Sequence, residues 1–233
     1  MNRWLLRGIV LTLFLWTILP SAPLSAEAPV GRRLVVIDPG HGGADSGVRI
    51  SETVSEKEVT LALALALQRE LTRAGNVQPR LTRSTDRSMT TAERIRAVQE
   101  AKPDLFVSIH VNAGFGKGST GYELYFPGFG GNAPASGGEE GILQGMAKNQ
   151  YLNSSVRLAQ AMQRNLEGIF PRKGRGLRDA QVPVLQGFTL PAVVVEIGFA
   201  TNPDDRKKLA DENVRNAAAQ AMSRGIQQYF AGE

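Results

Sequence analysis

The chain of 233 residues contains no cysteine. This absence excludes thiol nucleophiles, disulfide bonds and metal sites built from thiolates. Histidine is nearly as scarce, because the sequence has only two, His41 and His110. Any chemistry that needs an imidazole group must therefore use one or both of these residues.

Motifs of several common enzyme classes are also missing. The glycine-rich loop after the first predicted strand does not fit the dinucleotide-binding pattern G-x-G-x-x-G, because Asp45 stands where the last glycine would be. The chain has neither the G-x-S-x-G nor the S-x-x-K motif of serine acyl-transfer enzymes. It also lacks the H-E-x-x-H helix of one class of zinc peptidases.

Aromatic residues make up only 6% of the chain, and the formal net charge is +5. Lysine and arginine are scattered along the sequence instead of forming a stripe with interleaved aromatics, so the composition disfavours nucleic acid as a partner. A mild positive charge suits an anionic polymer, but it also suits many other partners.

Apolar runs long enough to cross a bilayer are absent too. Arg3 and Arg7 precede an uncharged apolar run over 8–19, and small residues follow it. This pattern predicts a secretory signal peptide over residues 1–28, with an approximate end, and a mature domain over 29–233 in the periplasm or outside the cell. The alternative, a membrane anchor, is less favoured because a span needs about 20 apolar residues. We expect no stable membrane insertion after cleavage.

Hydrophobic periodicity predicts strands that alternate with helices, which is typical of a single α/β domain built in layers. Capping boxes of Ser55 with Glu58 and of Thr90 with Glu93 predict the starts of two helices. A loop is predicted over 127–141, a segment rich in glycine. Strands are predicted over 34–38, 77–83, 105–110, 121–126 and 192–196, and helices over 55–75, 90–102, around 156–166 and from 211 onward.

Both histidines lie at or just after the end of an apolar predicted strand, where ligand sites of α/β sheets are found. Two histidines and one glutamate are a known ligand set of catalytic zinc. Glu56 is a candidate third ligand because its neighbour Glu58 belongs to the capping box. The helix dipole alone also favours an acidic residue in this first turn.

Glu196 ends a predicted strand that is apolar up to that point. Burial raises the pKa of a carboxyl group and so suits it to proton transfer near neutral pH. The alternative is a structural ion pair with Arg83 or Arg178. The residues by themselves leave both interpretations open.

Four segments of the sequence resemble a known family, the zinc-dependent N-acetylmuramoyl-L-alanine amidases of bacterial cell walls. They are V-V-I-D-P-G-H-G-G-A-D-S-G at 35–47, S-E-K-E-V-T-L-A at 55–62, D-L-F-V-S-I-H-V-N-A at 104–113 and P-A-V-V-V-E-I-G-F-A-T-N-P at 191–203. Weaker similarities are L-T-R-S-T-D at 81–86 and R-G-L-R-D-A at 175–180. These segments follow the order of the family and span nearly the whole predicted mature chain.

The resemblance implies a twisted, largely parallel sheet with helices on both faces. It implies that His41, Glu56 and His110 bind Zn²⁺ and that Glu196 acts in catalysis. The implied substrate is peptidoglycan, in which the family cuts the amide between N-acetylmuramic acid and L-alanine. Residues that bind the substrate are not identified, although Asn112 or a backbone N–H of the glycine loop is a candidate for stabilising the oxyanion.

Some members of the family carry an insertion that folds as a helix and plugs the active site until an activator arrives. Here the corresponding segment, residues 127 to about 153, is rich in glycine, and we expect a flexible rim loop. A protein activator is left open, and a monomer is the default expectation. Two other functions stay open: a zinc carboxypeptidase or endopeptidase that acts on stem peptides, and a wall-binding protein without catalysis.

Overall fold

The computed structural model describes residues 32–128, 139–171 and 176–232, with the backbone only for 139–149. The predicted signal peptide lies outside these residues. In the described part of the chain, no helix combines the length and the apolar character that a membrane span requires.

Within the described ranges, six strands form one sheet in the order β2-β1-β3-β6-β4-β5. Strands β2, β1, β3 and β6 run parallel, β4 is antiparallel to β6, and β5 runs parallel to β4. The prediction of a largely parallel sheet is therefore confirmed. The strands are β1 (Arg33–Pro39), β2 (Val77–Leu81), β3 (Leu105–Asn112), β4 (Tyr122–Pro127), β5 (Leu177–Ala180) and β6 (Ala192–Phe199).

Helices cover both faces of this sheet, as predicted. One face packs against α1, α3 and α5, and the other packs against α2 and a short 3₁₀ helix. Because both faces are covered, the central strands β3 and β6 are almost continuously apolar. The helices are α1 (Glu56–Ala74), α2 (Thr91–Ala101), α3 (Glu139–Leu166), α4 (Pro203–Ala210) and α5 (Glu212–Ala231), and the 3₁₀ helix is Pro183–Leu185.

Local capping signals set the ends of α1 and α2. The Glu58 carboxylate accepts a hydrogen bond from the Ser55 N–H at 2.8 Å, and Gly75 ends α1 in the left-handed conformation. Glu93 accepts from the Thr90 N–H at 2.7 Å at the start of α2. Both predicted capping boxes are confirmed.

The expected loop after β4 is partly wrong. Helix α3 begins at Glu139, so residues 139–153 are helical and do not form a rim loop. The predicted loop is too long at its carboxyl end. The glycine-rich segment stops near residue 138, and the residues after it are mostly good helix formers such as glutamate, leucine, methionine and alanine. Residues 129–138 lie outside the described residues.

A close contact between α3 and α5 gives a test of this packing. Gly225 of α5 lies against α3, and a Cβ atom there would come within 2.9 Å of the Met162 Cα. We expect Gly225→Val to lower the free energy of unfolding by about 1–3 kcal/mol, because the added methyl groups force the helices apart. Urea unfolding of the purified protein measures this loss.

Gln220→Val is the matched control, because Gln220 is exposed on the same helix. It should cost less than about 1 kcal/mol, the difference in helix propensity alone. If both variants unfolded at the same urea concentration, the described contact between α3 and α5 would be wrong.

Candidate active site

The candidate residues meet at the carboxyl ends of the parallel strands. His41 lies in the loop that follows β1, His110 lies near the end of β3, and Glu196 lies opposite His110 on β6. Glu56 is the first residue of α1, and this helix begins close to the same edge because its start is hydrogen-bonded to the loop at Val48. The chain thus brings four distant residues to one edge of the sheet.

Glu56 is the centre of a compact cluster with both histidines. Its Oε1 atom lies 3.0 Å from His41 Nε2 and 3.1 Å from His110 Nδ1. One ligand atom from each of the three residues can be chosen so that all lie within 4.8 Å of one another. This arrangement of two imidazoles and a carboxylate could hold one metal ion.

Hydrogen bonds from the surrounding chain orient the cluster. The Glu56 carboxylate accepts from the backbone N–H of Val111 at 2.9 Å and of Val48 at 3.0 Å. His41 Nδ1 lies 2.8 Å from the Asp45 carboxylate. A carboxylate in this position holds the Nδ1 proton and leaves Nε2 free to act as a ligand.

Two glycines leave the space that these side chains occupy. A Cβ atom on Gly40 would overlap the His110 imidazole, and a Cβ atom on Gly47 would overlap the Glu56 carboxylate and crowd the His41 ring. Gly47 also has a φ of 63°, which favours glycine. The close approach of the loop to the cluster therefore depends on both glycines.

Two buried arginines hold the loop that carries His41. The Arg83 guanidinium donates to the carbonyl of Gly40 at 2.7 Å, and Arg94 donates to the carbonyl of His41 at 2.6 Å. Arg94 also forms an ion pair of 2.6 Å with the fully buried Asp38. These contacts stabilise a loop in which His41 adopts a positive φ of 58°, which is uncommon for a residue other than glycine.

The environments of the two glutamates shift their pKa values in opposite directions. Burial raises the pKa of Glu196 to about 7, and the charges of Glu56 and Glu123 contribute to the increase against the opposing effect of His110. Burial also acts to raise the pKa of Glu56, but hydrogen bonds from His110 and His41 outweigh it and hold that pKa far below its usual range. The hydrogen bond to Glu56 in turn raises the pKa of His41.

The alternative ion pairs for Glu196 do not form among the described residues. Arg83 instead donates to backbone carbonyls beneath the loop, and Arg178 pairs with Glu123, 3.3 Å away. The structure therefore leaves the Glu196 carboxylate without either arginine that the sequence suggested.

The suggested oxyanion donors are already engaged within the protein. The Asn112 amide donates to Glu123 at 2.8 Å. In the glycine loop, the N–H of Gly42 donates to the Asp45 carbonyl at 2.9 Å, and that of Gly43 donates to the Asp86 carboxylate at 2.7 Å. Neither suggestion gains support from this geometry.

Sequence reasoning missed two acidic residues at the site. Asp45 supports His41, and Glu123 lies beside Glu196 in the antiparallel pairing of β4 with β6. The signal for Asp45 was its position four residues after His41 in a tight glycine loop. Glu123 gave no such signal, because only the strand pairing brings it to the site.

Comparison with known proteins identifies the family. Residues 35–228 match the family model of N-acetylmuramoyl-L-alanine amidase. The chain belongs to this family. The predicted family and enzyme class are thus confirmed.

Individual relatives show the same relationship. The amidase chain is 33% identical over 229 residues to the uncharacterized protein YqiI of Bacillus subtilis, with 98% of each chain covered. It is 33% identical over 202 residues to the N-acetylmuramoyl-L-alanine amidase LytC of Bacillus subtilis. This match covers 87% of the present chain but only 36% of the length of LytC.

Among solved structures, the catalytic domain of the amidase CwlV from Bacillus (Paenibacillus) polymyxa var. colistinus is similar in fold. The TM-score is 0.67 at 30% identity, with 86% of this chain and 99% of that chain covered.

The role of Gly40 gives a test of the cluster. We expect Gly40→Ala to displace the His110 ring and to weaken any binding of a metal ion by the cluster at least about 10-fold, the range seen when positioning groups around a metal are lost. Isothermal titration of the metal-free protein with zinc measures the affinity. Gly168→Ala is the control, because a Cβ atom at Gly168 has no neighbour within 4 Å. Unchanged affinity in Gly40→Ala would contradict the assigned position of His110.

Proposed function

We propose that this amidase uses Zn²⁺, held by His41, Glu56 and His110, to hydrolyse the amide between N-acetylmuramic acid and L-alanine in peptidoglycan. The observation that carries the proposal is the cluster of these three residues beside the partly buried Glu196 in a chain of the amidase family. The product on the glycan side is the free lactyl carboxylate, and the product on the other side is a stem peptide with a free L-alanine amine.

The donor set fits zinc. Imidazole and carboxylate ligands are typical of zinc, and three protein ligands leave one coordination position open, as catalytic sites require. When bound there, zinc supplies Lewis-acid chemistry that polarises a carbonyl group and makes water acidic enough to lose a proton near neutral pH. The low pKa of Glu56 keeps this carboxylate charged, which suits a cation ligand.

Glu196 is the proposed general base and acid. It takes a proton from the attacking water and delivers it to the nitrogen of the leaving L-alanine. The C–N bond can then break with a neutral amine as the leaving group, so that no unstable nitrogen anion forms. A pKa of about 7 suits both steps, because the group can bind and release a proton near neutral pH. Asp45 supports the reaction indirectly by fixing the orientation of His41.

These roles predict different losses for two variants. Glu196→Gln should keep zinc near one ion per chain but lower kcat by about 10²–10⁴-fold, the usual contribution of general acid–base catalysis. His110→Ala should lose both zinc and activity, because it removes a ligand. Metal analysis combined with the release of peptides that begin with L-alanine measures both effects on purified peptidoglycan.

Glu100→Gln is the matched control, because Glu100 is exposed on α2 and loses the same charge. Its activity should stay close to that of the wild-type protein. The proposed roles fail if Glu196→Gln retains near-normal activity, or if it loses zinc as His110→Ala does. Peptides released without an L-alanine terminus would instead indicate cleavage within the stem.

We further propose that residues 1–28 direct export, so that the enzyme acts on the wall in the periplasm or outside the cell. The basic and apolar pattern of this segment supports the proposal. The mature protein should begin between residues 23 and 29, which mass spectrometry of the native secreted protein tests. Recovery of an intact Met1 terminus in the membrane fraction would indicate an uncleaved anchor.

A further inference from the structure

An arginine lies close to the reaction site, on the same face of the sheet. Glu123 of β4 pairs directly with Glu196 of β6, so both side chains lie on one face. Tyr125 lies two residues further along β4 and therefore on the same face, and Arg178 of β5 pairs with Tyr125. The backbone of Arg178 is thus two strands across and two residues along from Glu196, which amounts to about 10 Å across the sheet and about 7 Å along it.

A group of polar side chains fixes this arginine from one side. Arg178 Nε lies 3.3 Å from Glu123 Oε1, and Arg178 Nη1 lies 3.4 Å from the Tyr125 hydroxyl. Tyr125 and Asn112 both donate to the other oxygen of Glu123, at 2.7 and 2.8 Å. Glu123, which contacts Arg178, is therefore itself held in place by hydrogen bonds from Tyr125 and Asn112.

With respect to the described residues, the guanidinium keeps much of its binding capacity. Its side chain is 47% exposed, whereas that of Glu123 is 17% exposed. An arginine has five N–H donors, and the contacts with Glu123 and Tyr125 use Nε and one Nη1 donor only. A planar guanidinium that is held through Nε and Nη1 and is half exposed is suited to bind a carboxylate.

Carboxyl groups surround the part of the site where the substrate would lie. Glu56, Glu123 and Glu196 place three carboxyl groups near one another, and these would repel an anionic substrate. Among the described residues, Arg178 is the cation that pairs with Glu123, on the side of the site away from the histidines. It can therefore offset this repulsion where part of the substrate lies on β4 and β5.

The chemistry of peptidoglycan limits which group could bind there. The N-acetylated sugars of the glycan are uncharged, and the lactyl carboxyl group is masked by the amide until it is cut. A carboxylate near the scissile bond therefore belongs to the stem peptide, beyond the L-alanine. Two extended residues span about 7 Å. The Arg178 guanidinium is 3.3 Å from Glu123, which stands on the strand next to Glu196, about 5 Å across the sheet, so a peptide of this length can reach it.

We propose that Arg178, oriented by Glu123 and Tyr125, binds a carboxylate on the second residue of the stem peptide and so selects substrates that carry this charge. The inference rests on the proposed amidase function, because it assigns the peptide side of that same site. Arg178 is a specificity residue in this proposal and takes no part in proton transfer.

The test varies the charge on the enzyme and on the substrate together. Two synthetic N-acetylmuramoyl peptides are needed, in which the second residue carries either a free carboxylate or a carboxamide. With the zinc-loaded wild-type enzyme, kcat/KM should be higher for the carboxylate. Arg178→Gln should lower kcat/KM about 10–100-fold on the carboxylate, the effect expected for a hydrogen bond to a charged group, and less than about 3-fold on the carboxamide.

Two further variants separate binding from structure. Arg178→Lys should recover part of the preference, because the charge is kept and the planar geometry is lost. Arg73→Gln is the control: Arg73 is exposed in the last turn of α1, about 25 Å along the helix from Glu56. It removes the same charge and should leave the preference unchanged.

A binding measurement tests the proposal without turnover. Calorimetry with the free stem peptides should show that the carboxylate peptide binds more tightly than the carboxamide peptide, and that Arg178→Gln removes the difference. An equal loss on both peptides would overturn the proposal and assign Arg178 to the support of Glu123 alone. If the wild-type enzyme binds the carboxylate peptide preferentially but cuts neither substrate, the proposed reaction fails and the anion site stands.

Discussion

The buried contacts between two arginines and the loop after β1 support the rest of the site. Arg94 pairs with the buried Asp38 and donates to the carbonyl of His41, while Arg83 donates to the carbonyls of Gly40 and Lys57. Arg83 therefore joins the loop to the first turn of α1, and this contact sets the position of His41 relative to the start of the helix. A buried charge is costly without a partner, so the loop and the arginines require each other.

The chemistry of the site comes from the contrast between two carboxyl groups in one small space. Glu56 faces two imidazoles and two backbone N–H groups, all of which favour its charged form. Glu196 is partly buried on an apolar strand and faces other carboxylates, which favours its protonated form. Neighbouring groups whose pKa values are shifted apart can divide the tasks of holding a cation and moving a proton.

Much of the fold could be predicted because its signals are local. The capping boxes at Ser55 and Thr90 and the apolar strand over 105–110 depend on residues that are close in sequence. The start of α3, the short strand β5 and helix α4 were not predicted. In β5, two of the four residues are exposed, so hydrophobic periodicity gives no signal, and the strand exists because β4 offers an edge to pair with.

The sequence by itself determined which residues could carry the chemistry. Only two histidines are present, both follow apolar strands, and the family motifs single out Glu56 and Glu196. The tertiary structure decided what surrounds them: Asp45 next to His41, the arginines beneath the loop, and Glu123, which pairs with Arg178, next to Glu196. The physical reason is that a ligand type can be recognised from its own residue and neighbours, whereas the pKa of a group and its contacts depend on strand pairing between segments far apart in the chain.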